Sequence, residues 1–559
     1  MRIRPGALLG CLTILCLVAA GWSQNRACEG ALPILPDESP QLYGMTTPAG
    51  SGRHLDPPTT RIVRVTNLND AGPGSLRDAI EGQTGPRTIV FEVSGNIPLE
   101  RRMVIGSRQE GDTRGQYITI AGQTAPSPGI TVQHYGFYVE ANSHDVLIQH
   151  LRIRTGDTSL GGVLDAEWTR VGGAASGVYA HPVRVQPNRG WGSGIGVKWK
   201  GKALTEVDGR KQNIAPGEWD WHEGVLYVNV GQHPLAGEVV WIPSKTHISD
   251  PLTLSDKLPS PRHIVVDHCS FSWGGDMTVQ NGADNATFLH CILTEALNHP
   301  RHPKGPHSKG FYNLSYNRGK GGQHVAFVKN MLSHSRDRNP AISSGSAIVV
   351  NSFFYDLGKD GGGDHGIRGE DTSEKKGPVQ VSVVANVIER TDRAPRTSPI
   401  CFRSRWDLGS KFYISEDNMV DGKLIQDPWN NPEVSQMYPW PKVAPLPANK
   451  RAATAAAALW PAGYKPMPVT KVKAYVLKHA GARPADRDPV DKRVVQNVHD
   501  RVAHLIASQE EVGGWPALAG NRRALTIPEN PHGDDDSDGY TNLENWLHGY
   551  AAEVEGANQ

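Results

Sequence analysis

Seven segments of the chain share one pattern of apolar and polar positions. In each segment, apolar residues alternate around a single small or polar residue. The segments span residues 146–153, 264–271, 286–293, 325–332, 347–354, 381–388 and 412–420. Short β-branched strands that recur about every twenty residues, with Gly-rich insertions at the turns, predict a parallel β-solenoid. A β-sandwich also contains short alternating strands, but it would not keep one residue type in register.

The central residue of this repeat predicts what stacks inside the solenoid. Its occurrences along the chain are His150, Cys269, Cys291, Asn330, Asn351, Asn386 and Asn418. Because each coil hydrogen-bonds to the next, equivalent positions should lie above one another. We therefore expect the four asparagines to bond to one another and to turn backbone, and the two cysteines to be neighbours in adjacent coils.

The start of the solenoid predicts a helical cap. Residues 65–82 contain a strand, a turn and a short amphipathic segment with Leu76, Ala79 and Ile80 on one side. A helix at this point would cover the apolar interior that the first coil exposes. Further strands are predicted within 87–95, 117–122 and 137–140.

Residues 158–248 interrupt the repeat. They hold six of the 14 tryptophans of the chain, and we interpret them as a small inserted β-module. The tryptophans either offer an aromatic surface on which sugars stack or form a small core. The need to bury enough area in a module of this size favours the core.

The chain changes character after Asp421. We place a C-terminal extension at 437–559, beginning with a proline-rich connector. The segment 469–481 predicts one helix, and the segment 488–506 predicts another. The second helix carries an apolar stripe formed by Val490, Val494, Val498 and Val502. Because isolated helices of this length are marginal, we expect both to pack against the solenoid.

The composition agrees with a turn-rich globular protein. Of the 559 residues, 38% are hydrophobic and 21% are charged, with 61 Gly and 41 Pro, which argues against a helical bundle and against a disordered chain. Lys and Arg number 58 and Asp and Glu number 57, for a net charge of +1. This balance excludes a dedicated nucleic-acid binder, so any polyanion must be bound by a local basic cluster.

The N-terminal residues have the pattern of a secretory signal peptide, which we place at 1–23. Their apolar run, at 7–20, is shorter than the roughly 20 residues that a membrane span needs. We therefore expect an exported protein, extracellular or periplasmic, that makes no membrane contact after the signal is removed. The remaining cysteines are too few for a disulfide scaffold, and the pairing of Cys28, Cys269, Cys291 and Cys401 is left open.

Specific strings resemble the secreted pectate lyases of polysaccharide lyase family one, in the bacterial branch that carries a C-terminal extension. The strings are TNLNDAGPGSLRDAI (66–80), TIAGQTAP (119–126), VDHCSFSWGGD (266–276), HPKGPH (302–307), DRNPA (337–341), AGARPADRDPVDKR (480–493) and VGGWP (512–516). The resemblance covers nearly the whole chain after the signal peptide except the Trp-rich insert, and it implies a right-handed parallel β-helix, in agreement with the repeat. With the segments described above, we expect an all-β fold in which this β-helix has an N-terminal helical cap, a small β insertion and a C-terminal helical extension. We place the lyase domain at 24–157 and 249–436.

The resemblance also implies a reaction. Family members cleave the α-1,4 bond of polygalacturonate by β-elimination, which removes the proton on C5 and leaves a 4,5-unsaturated uronate. A Ca²⁺ ion neutralises the neighbouring carboxylate, and the family's calcium carboxylates fall on Asp250 and Asp276. Met277 and Gln280 stand where the family often has further acids, so the calcium affinity is open.

The base falls by resemblance on Arg338, and the lysine that contacts the substrate carboxylate falls on Lys304. Substrate contacts are expected from His302, His307, Arg336 and Asn339. Ala341 replaces an arginine that the family pattern commonly carries, so the preferred uronate is open. A zinc site at the histidines of this region is disfavoured because prolines separate them and no helix is predicted there.

A second metal signal lies near the end of the chain. The run DDDSDGYTNLEN (534–545) nearly fits a calcium-binding EF-hand loop. Its candidate ligands for a structural Ca²⁺ are Asp534, Asp536, Asp538 and Glu544, although Glu544 is one position short of the usual place. The alternative is a solvated acidic turn.

Two other functions fit a β-helix. One is a non-catalytic protein that binds polysaccharides or acts as an adhesin, and the other is a glycoside hydrolase, which would need paired carboxylates across the bond that is cut. We expect an acidic polysaccharide as the partner and a monomeric enzyme. Endo or exo action and the role of the Trp-rich insert are not predicted.

Overall fold

The computed structural model describes residue 42 and residues 49–556, with internal gaps. The gaps are 53–54, 58, 110, 158–161, 164–167, 173–175, 183–196, 201, 208–209, 211–212, 223–224, 236–237, 242–249, 299–305, 362–364, 407 and 438–444. The predicted signal peptide, Cys28, His302 and Lys304 therefore lie outside the described residues.

Three long sheets run side by side along the protein. The first consists of Arg61–Val65, Arg87–Phe91, Gln116–Ala121, His144–Gln149, Arg262–Asp267, Asp284–Leu289, Val325–Val328, Gly345–Val350, Val379–Val384 and Lys411–Ile414. The second consists of Gly95–Pro98, Ile130–Gln133, Leu151–Arg154, Ser270–Ser272, Ile292–Thr294, Met331–Ser335, Phe353–Leu357, Val387–Glu389, Met419–Val420 and Lys423–Leu424. The third consists of Met103–Ile105, Phe137–Val139, Leu252–Leu254, Val279–Asn281, Phe311–Asn313, Ala341–Ile342, His365–Asp371, Ser398–Ser404 and Val434–Met437.

The chain visits the first, second and third sheets in turn, and each circuit forms one coil. All neighbouring strands pair in parallel, except for the last pair of the second sheet. The interior is a continuous apolar stack, in which Ile264, Ala286 and Val325 occupy equivalent, fully buried positions in successive coils. Such a stack is the core of a parallel β-helix, so the predicted fold class is confirmed.

The stacked turn between the first two sheets follows the prediction in part. The pairing of the second-sheet strands places Cys269, Cys291 and Asn330 in one column, which continues through Ser352 to Asn386 and Asn418. Within this column, the Asn386 side-chain amide donates to Asn418 Oδ1 at 3.1 Å. Cys269 and Cys291 are neighbours in this column, and both are buried free thiols. Cys401, in the third sheet, is also a buried free thiol.

The predicted alignment was wrong by one residue at Asn351 and His150. Asn351 lies in the preceding turn position with a left-handed φ of 49°, and its amide donates to the carbonyl of Met467 in the C-terminal extension. His150 likewise stacks on His268 rather than on Cys269. The turn has two polar positions side by side, and the apolar pattern alone does not distinguish them.

The N-terminal end of the β-helix is covered by helix α1, Leu76–Glu81. Ser75 caps this helix by accepting a hydrogen bond from the backbone N–H of Asp78 at 3.1 Å. Leu76, Ala79 and Ile80 are buried in the apolar interior, as their spacing predicts.

The segment between Leu151–Arg154 and Leu252–Leu254 forms two small sheets of its own. One contains Gly162–Val163, Val197–Trp199, Lys202–Ala203 and Val239–Trp241, and the other contains Thr169–Arg170, Val178–Pro182, Thr205–Glu206, Glu218–His222 and Val225–Asn229. Trp168 and Trp219 are buried together with Leu226 and Val228. At least these two tryptophans serve a core, as the size of the module predicts.

The C-terminal extension contributes helices α2 (Ala455–Ala458), α3 (Val469–His479), α4 (Pro489–His499) and α5 (Asn542–Glu555). Short 3₁₀ turns occur at Gly122–Thr124, Ala448–Lys450, Pro484–Asp486 and Gln509–Val512. Helices α3 and α4 pack on the outer face of the second sheet, in one apolar cluster with Ile292, Met331 and Phe353. No helix among the described residues is long and apolar enough to cross a membrane.

The valine stripe of α4 is shorter than predicted. Val490, Val494 and Val498 are buried against the β-helix, but Val502 is 40% exposed. The helix ends at His499, so the chain direction changes before the fourth valine can join the stripe.

Candidate active site at the entrance to the third sheet

One charged residue precedes each of four consecutive strands of the third sheet. Asp250, Asp276, Lys309 and Arg338 lie two or three positions before the strands that begin at Leu252, Val279, Phe311 and Ala341. These strands are direct neighbours in the sheet. Because adjacent strands are about 4.8 Å apart, the four side chains form a row along one edge of the β-helix.

The two carboxylates of the row lie in adjacent coils, and their turns are joined by hydrogen bonds. Asp250 Oδ1 accepts hydrogen bonds from the backbone N–H of Asp276 at 3.1 Å and of Met277 at 2.8 Å. Burial, together with the charge of Asp276, raises the pKa of Asp250 to about 7. Two carboxylates that repel each other in this way form a site where a cation would relieve the repulsion.

A lysine and a histidine reach Asp276 from the next coil. Lys309 Nζ lies 2.9 Å from Asp276 Oδ1, and His307 Nε2 lies 3.4 Å from the same oxygen. Burial, and then the positive charge of Arg338, lower the pKa of Lys309, although Asp276 opposes the change. Lys309 is therefore a partly buried amine placed between a carboxylate and a guanidinium.

Arg338 completes the row one coil further along. Its guanidinium carbon stands 3.9 Å from the centre of the Tyr312 ring, a cation–π contact. Its Nη1 lies 3.7 Å from the sulfur of Met277, the residue whose N–H binds Asp250. Arg338 has a left-handed φ of 58°, as do many turn residues of this β-helix.

Tyr312, which supports Arg338, is itself held by the β-helix. Lys376 Nζ donates to the Tyr312 hydroxyl at 3.0 Å and also to Ser343 Oγ. Ser343 Oγ in turn donates to Glu370 at 2.8 Å. This buried network fixes the ring against which the guanidinium lies.

Two further arginines near the row have different environments. Arg368 is buried, with Nη1 2.7 Å from Asp337 and Nε 3.2 Å from Glu370, so its charge is balanced inside the protein. Arg336 is half-buried beside the row, and its backbone N–H donates to the carbonyl of Ser308 at 3.0 Å.

Asn339 is not placed for the substrate contact that the sequence predicted. Its side chain is fully buried, and its amide donates to the carbonyls of Ser335 at 3.3 Å and His365 at 3.2 Å. The residue points inward because the chain turns back into the sheet at this position, and it holds that turn together.

The donor set of the row fits a hard cation. Asp250 and Asp276 supply carboxylate oxygens, which Ca²⁺ prefers. Gln280 is partly exposed between the buried Val279 and Asn281, so its side chain faces outward from the same sheet and offers an amide oxygen. Lys309 occupies one oxygen of Asp276, so a cation would have to compete with this ion pair.

The acidic run near the C-terminus brings three of its four predicted ligands together. Single oxygens of Asp534, Asp536 and Asp538 lie within 4.8 Å of one another at the surface. Glu544 is used elsewhere, since its Oε2 accepts from the backbone N–H of Thr541 at 2.8 Å and from its hydroxyl at 3.0 Å. Thr541 and Glu544 form the capping box that begins α5, which explains why the glutamate does not join the aspartates.

Lys309 and Tyr312 are site residues that the motifs did not reveal. The string HPKGPH directs attention to Lys304, whose position is not described, whereas the row contains Lys309. The signal that could have identified Lys309 is its position, because every charged residue of the row precedes a third-sheet strand by two or three residues.

The protein is thus a parallel β-helix with two acids, a lysine and an arginine along one sheet edge. No family model matches the chain. It is 25% identical over 548 residues to a probable pectate lyase C of Aspergillus flavus, covering 96% of this chain and 90% of the relative. A probable pectate lyase C of Neosartorya fischeri is 25% identical over 518 residues, with coverage of 87% and 88%.

A probable pectate lyase C of Emericella nidulans is 41% identical over 190 residues, which are 34% of this chain and 36% of the relative. Among solved structures, the major allergen from cedar pollen aligns with a TM-score of 0.42 and 13% identity, covering 81% of this chain and 94% of the allergen. The curated relatives confirm the recognition made from the motifs: the chain is related to the pectate lyases.

Proposed function

We propose that this protein is a polysaccharide lyase that cleaves polygalacturonate, or a related polyuronate, by calcium-assisted β-elimination. The full-length similarity to proteins named pectate lyase supports the reaction class. The observation that carries the proposal is the row of Asp250, Asp276, Lys309 and Arg338 in four consecutive coils.

The chemistry requires that the C5 proton of a uronate be made acidic and then removed. Asp250 and Asp276 would hold Ca²⁺, with the amide oxygen of Gln280 available as a further ligand. When bound, the ion neutralises the uronate carboxylate and so lowers the cost of negative charge at C5. The raised pKa of Asp250, caused first by burial and then by the charge of Asp276, supports this assignment because a bound cation would offset both effects.

We assign to Lys309 the role of binding the carboxylate of the substrate. In the structure its amine rests on Asp276 at 2.9 Å, and a cation on the aspartates would weaken that ion pair. The freed amine would then bind the uronate and support the charge that develops in the transition state. We assign this role to Lys309 because it lies in the row, while the motif candidate Lys304 falls outside the described residues.

We assign Arg338 as the base that removes the C5 proton, as the family resemblance implies. The bond from C5 to hydrogen breaks, its electrons form the double bond between C4 and C5, and the bond from C4 to the leaving oxygen breaks. The proton passes to the guanidine, and the leaving oxygen takes a proton from solvent.

The remaining assignments belong to the same proposal. His307 and Arg336 would contact the bound polyuronate, His307 because it lies beside Asp276. Asp534, Asp536 and Asp538 would hold a structural Ca²⁺ in the C-terminal loop. The protein would be exported by its N-terminal signal peptide and act as a monomer.

The proposal is tested by incubating the purified protein with polygalacturonate and Ca²⁺. We expect a product that absorbs in the ultraviolet and whose mass matches an unsaturated uronate, and we expect a chelator to abolish it. Saturated products carrying an added water would indicate hydrolysis instead. Binding of the polymer without any cleavage would favour the non-catalytic adhesin.

A further inference from the structure

A second cluster of chemical groups lies at the turn between the first and second sheets, away from the candidate active site. In six consecutive coils one residue of this turn has a left-handed backbone, and its φ lies between 46° and 55°. The occupants, in order, are His150, His268, His290, Lys329, Asn351 and Ala385. Lysine, asparagine and alanine adopt the same turn, so the conformation does not itself require histidine.

The three histidines form a stack. The ring centres of His150 and His268 are 5.2 Å apart and nearly parallel, and those of His268 and His290 are 4.4 Å apart. The imidazoles are buried and meet side chains of the C-terminal extension. His150 and His268 face Glu555 of helix α5, whereas His290 Nε2 lies 3.1 Å from the hydroxyl of Tyr475 in α3.

Helix α5 presents a carboxylate to the stack. Glu555, its last residue, has Oε1 3.4 Å from His150 Nε2 and 3.7 Å from His268 Nδ1. A negative charge at the C-terminus of a helix is opposed by the helix dipole. A cation opposite Glu555 would offset that cost.

The atoms that face one another are not satisfied by hydrogen bonds. His150 Nε2 and Glu555 Oε1 are both buried, and neither has a hydrogen-bond partner among the described residues. His150 Nδ1 donates to the carbonyl of Ala482 at 2.8 Å, which leaves Nε2 as the ring atom that faces the carboxylate. A histidine whose Nδ1 is held by a backbone carbonyl presents Nε2 to a metal ion in this way.

The spacing of these atoms suits a tetrahedral metal ion. Bonds of about 2.1 Å to Zn²⁺ place its ligand atoms roughly 3.4 Å apart. The two measured separations from Glu555 Oε1, 3.4 and 3.7 Å, agree with this value. Asp267 Oδ1, which accepts a hydrogen bond from His268 Nδ1 at 2.9 Å, is the nearest candidate for the fourth ligand, and a metal ion on Nδ1 would replace the proton of that bond. A site made of imidazole and carboxylate groups favours zinc over calcium.

We propose that His150, His268 and Glu555 hold a structural Zn²⁺ ion that fastens α5 to the β-helix, with Asp267 moving to complete the shell. The partly exposed Glu555 side chain marks the side from which the ion enters. The site is independent of the proposed lyase chemistry, because it lies at a different turn of the coil.

The test measures metal in the full-length protein after exposure to Zn²⁺ and dialysis. We expect the wild type to retain about one zinc per chain and Glu555→Gln to lose it, with affinity lower by about 100-fold or more. Glu553→Gln, on the same helix with a 61% exposed side chain, should retain the metal. Replacing Zn²⁺ by Co²⁺ should give the visible absorption of a four-coordinate ion in the wild type and in Glu553→Gln only.

Equal zinc content in the wild type and in Glu555→Gln would overturn the proposal, as would a cobalt spectrum unchanged by the substitution. His150→Asn provides a second variant that leaves α5 intact and should lose zinc in parallel. If neither variant alters metal content while both lower the melting temperature, the cluster is a hydrogen-bonded contact and holds no metal.

Discussion

At the scale of single residues, the candidate site depends on charges brought together by strand stacking. The motifs identified Asp250, Asp276 and Arg338, which the structure places in one row. They did not identify Lys309, because its place in the row depends on where the third-sheet strand of that coil begins, and the motifs do not give that boundary. Asn339 is the opposite case: it belongs to a motif, but its buried side chain stabilises the turn instead of facing the substrate.

Asp250 should make calcium binding depend on pH. Its pKa of about 7 means that a proton competes with the cation below that pH. We expect calcium affinity at the active site to rise by about tenfold per pH unit up to pH 7 and then to level off. In the absence of calcium, the raised pKa stabilises the fold at low pH, and this contribution is lost as the pH rises through 7.

Calcium titrations by calorimetry at several pH values measure this dependence. Asp250→Asn should lower the affinity and remove the pH dependence. Asp256→Asn, six residues further along and partly exposed, should leave both unchanged. A steep pH dependence that persists in Asp250→Asn would assign the competing proton to another group.

Lys309 should act on the reaction rather than on folding. Lys309→Met keeps the length of the side chain but removes the amine, and we expect kcat to fall by about 10²–10³-fold because the transition-state charge loses its partner. Lys320→Met, at an exposed lysine of the neighbouring turn, is the control. Steady-state kinetics on polygalacturonate measure both variants, and a larger loss in Lys304→Met would transfer the role to that residue.

At the scale of elements, the repeating apolar pattern was sufficient to predict the coils, the N-terminal helix and the packing of α3 and α4. The sequence could not predict the exact end of an element, because a helix ends where its packing surface ends. Val502 continues the spacing of the stripe but lies beyond the end of α4 at His499. The misalignment of Asn351 has a similar origin, since two adjacent turn positions both accept polar residues.

Two valines of the predicted stripe should therefore differ in their effect on stability. Val494→Ala removes two methyl groups from a fully buried site, and we expect a loss of about 2 kcal/mol in the free energy of unfolding. Val502→Ala, at a site that is 40% exposed, should change it by less than about 0.5 kcal/mol. Chemical denaturation measures both, and equal losses would show that α4 extends further than described.

At the scale of the whole molecule, we assign calcium to two separate groups of carboxylates among the described residues. One lies in the third-sheet row and the other in the exposed loop before α5. The first should govern activity, and the second should govern how firmly the C-terminal extension is held. Sequence motifs located both groups, but only the fold shows that Glu544 caps α5 and leaves the loop with three aspartates.

Asp536→Asn should separate these two effects of calcium. We expect the variant to keep its lyase activity at saturating calcium while losing part of the calcium-dependent rise in melting temperature, by about 2 °C or more. Asp535→Asn, whose side chain instead accepts from Asn530 at 2.9 Å, is the matched control. Melting curves with calcium and with a chelator decide the question, and identical curves for both variants would leave the loop as a solvated turn.

The proposed lyase reaction depends on Arg338 removing the substrate proton beside the two carboxylates that we assign to calcium. The most direct measurement is the initial rate of unsaturated product release from polygalacturonate at saturating Ca²⁺, for the wild type, Arg338→Ala and the exposed control Arg318→Ala. We predict a loss of about 10³-fold in Arg338→Ala alone, with calcium affinity unchanged. A wild-type rate in Arg338→Ala would contradict the account.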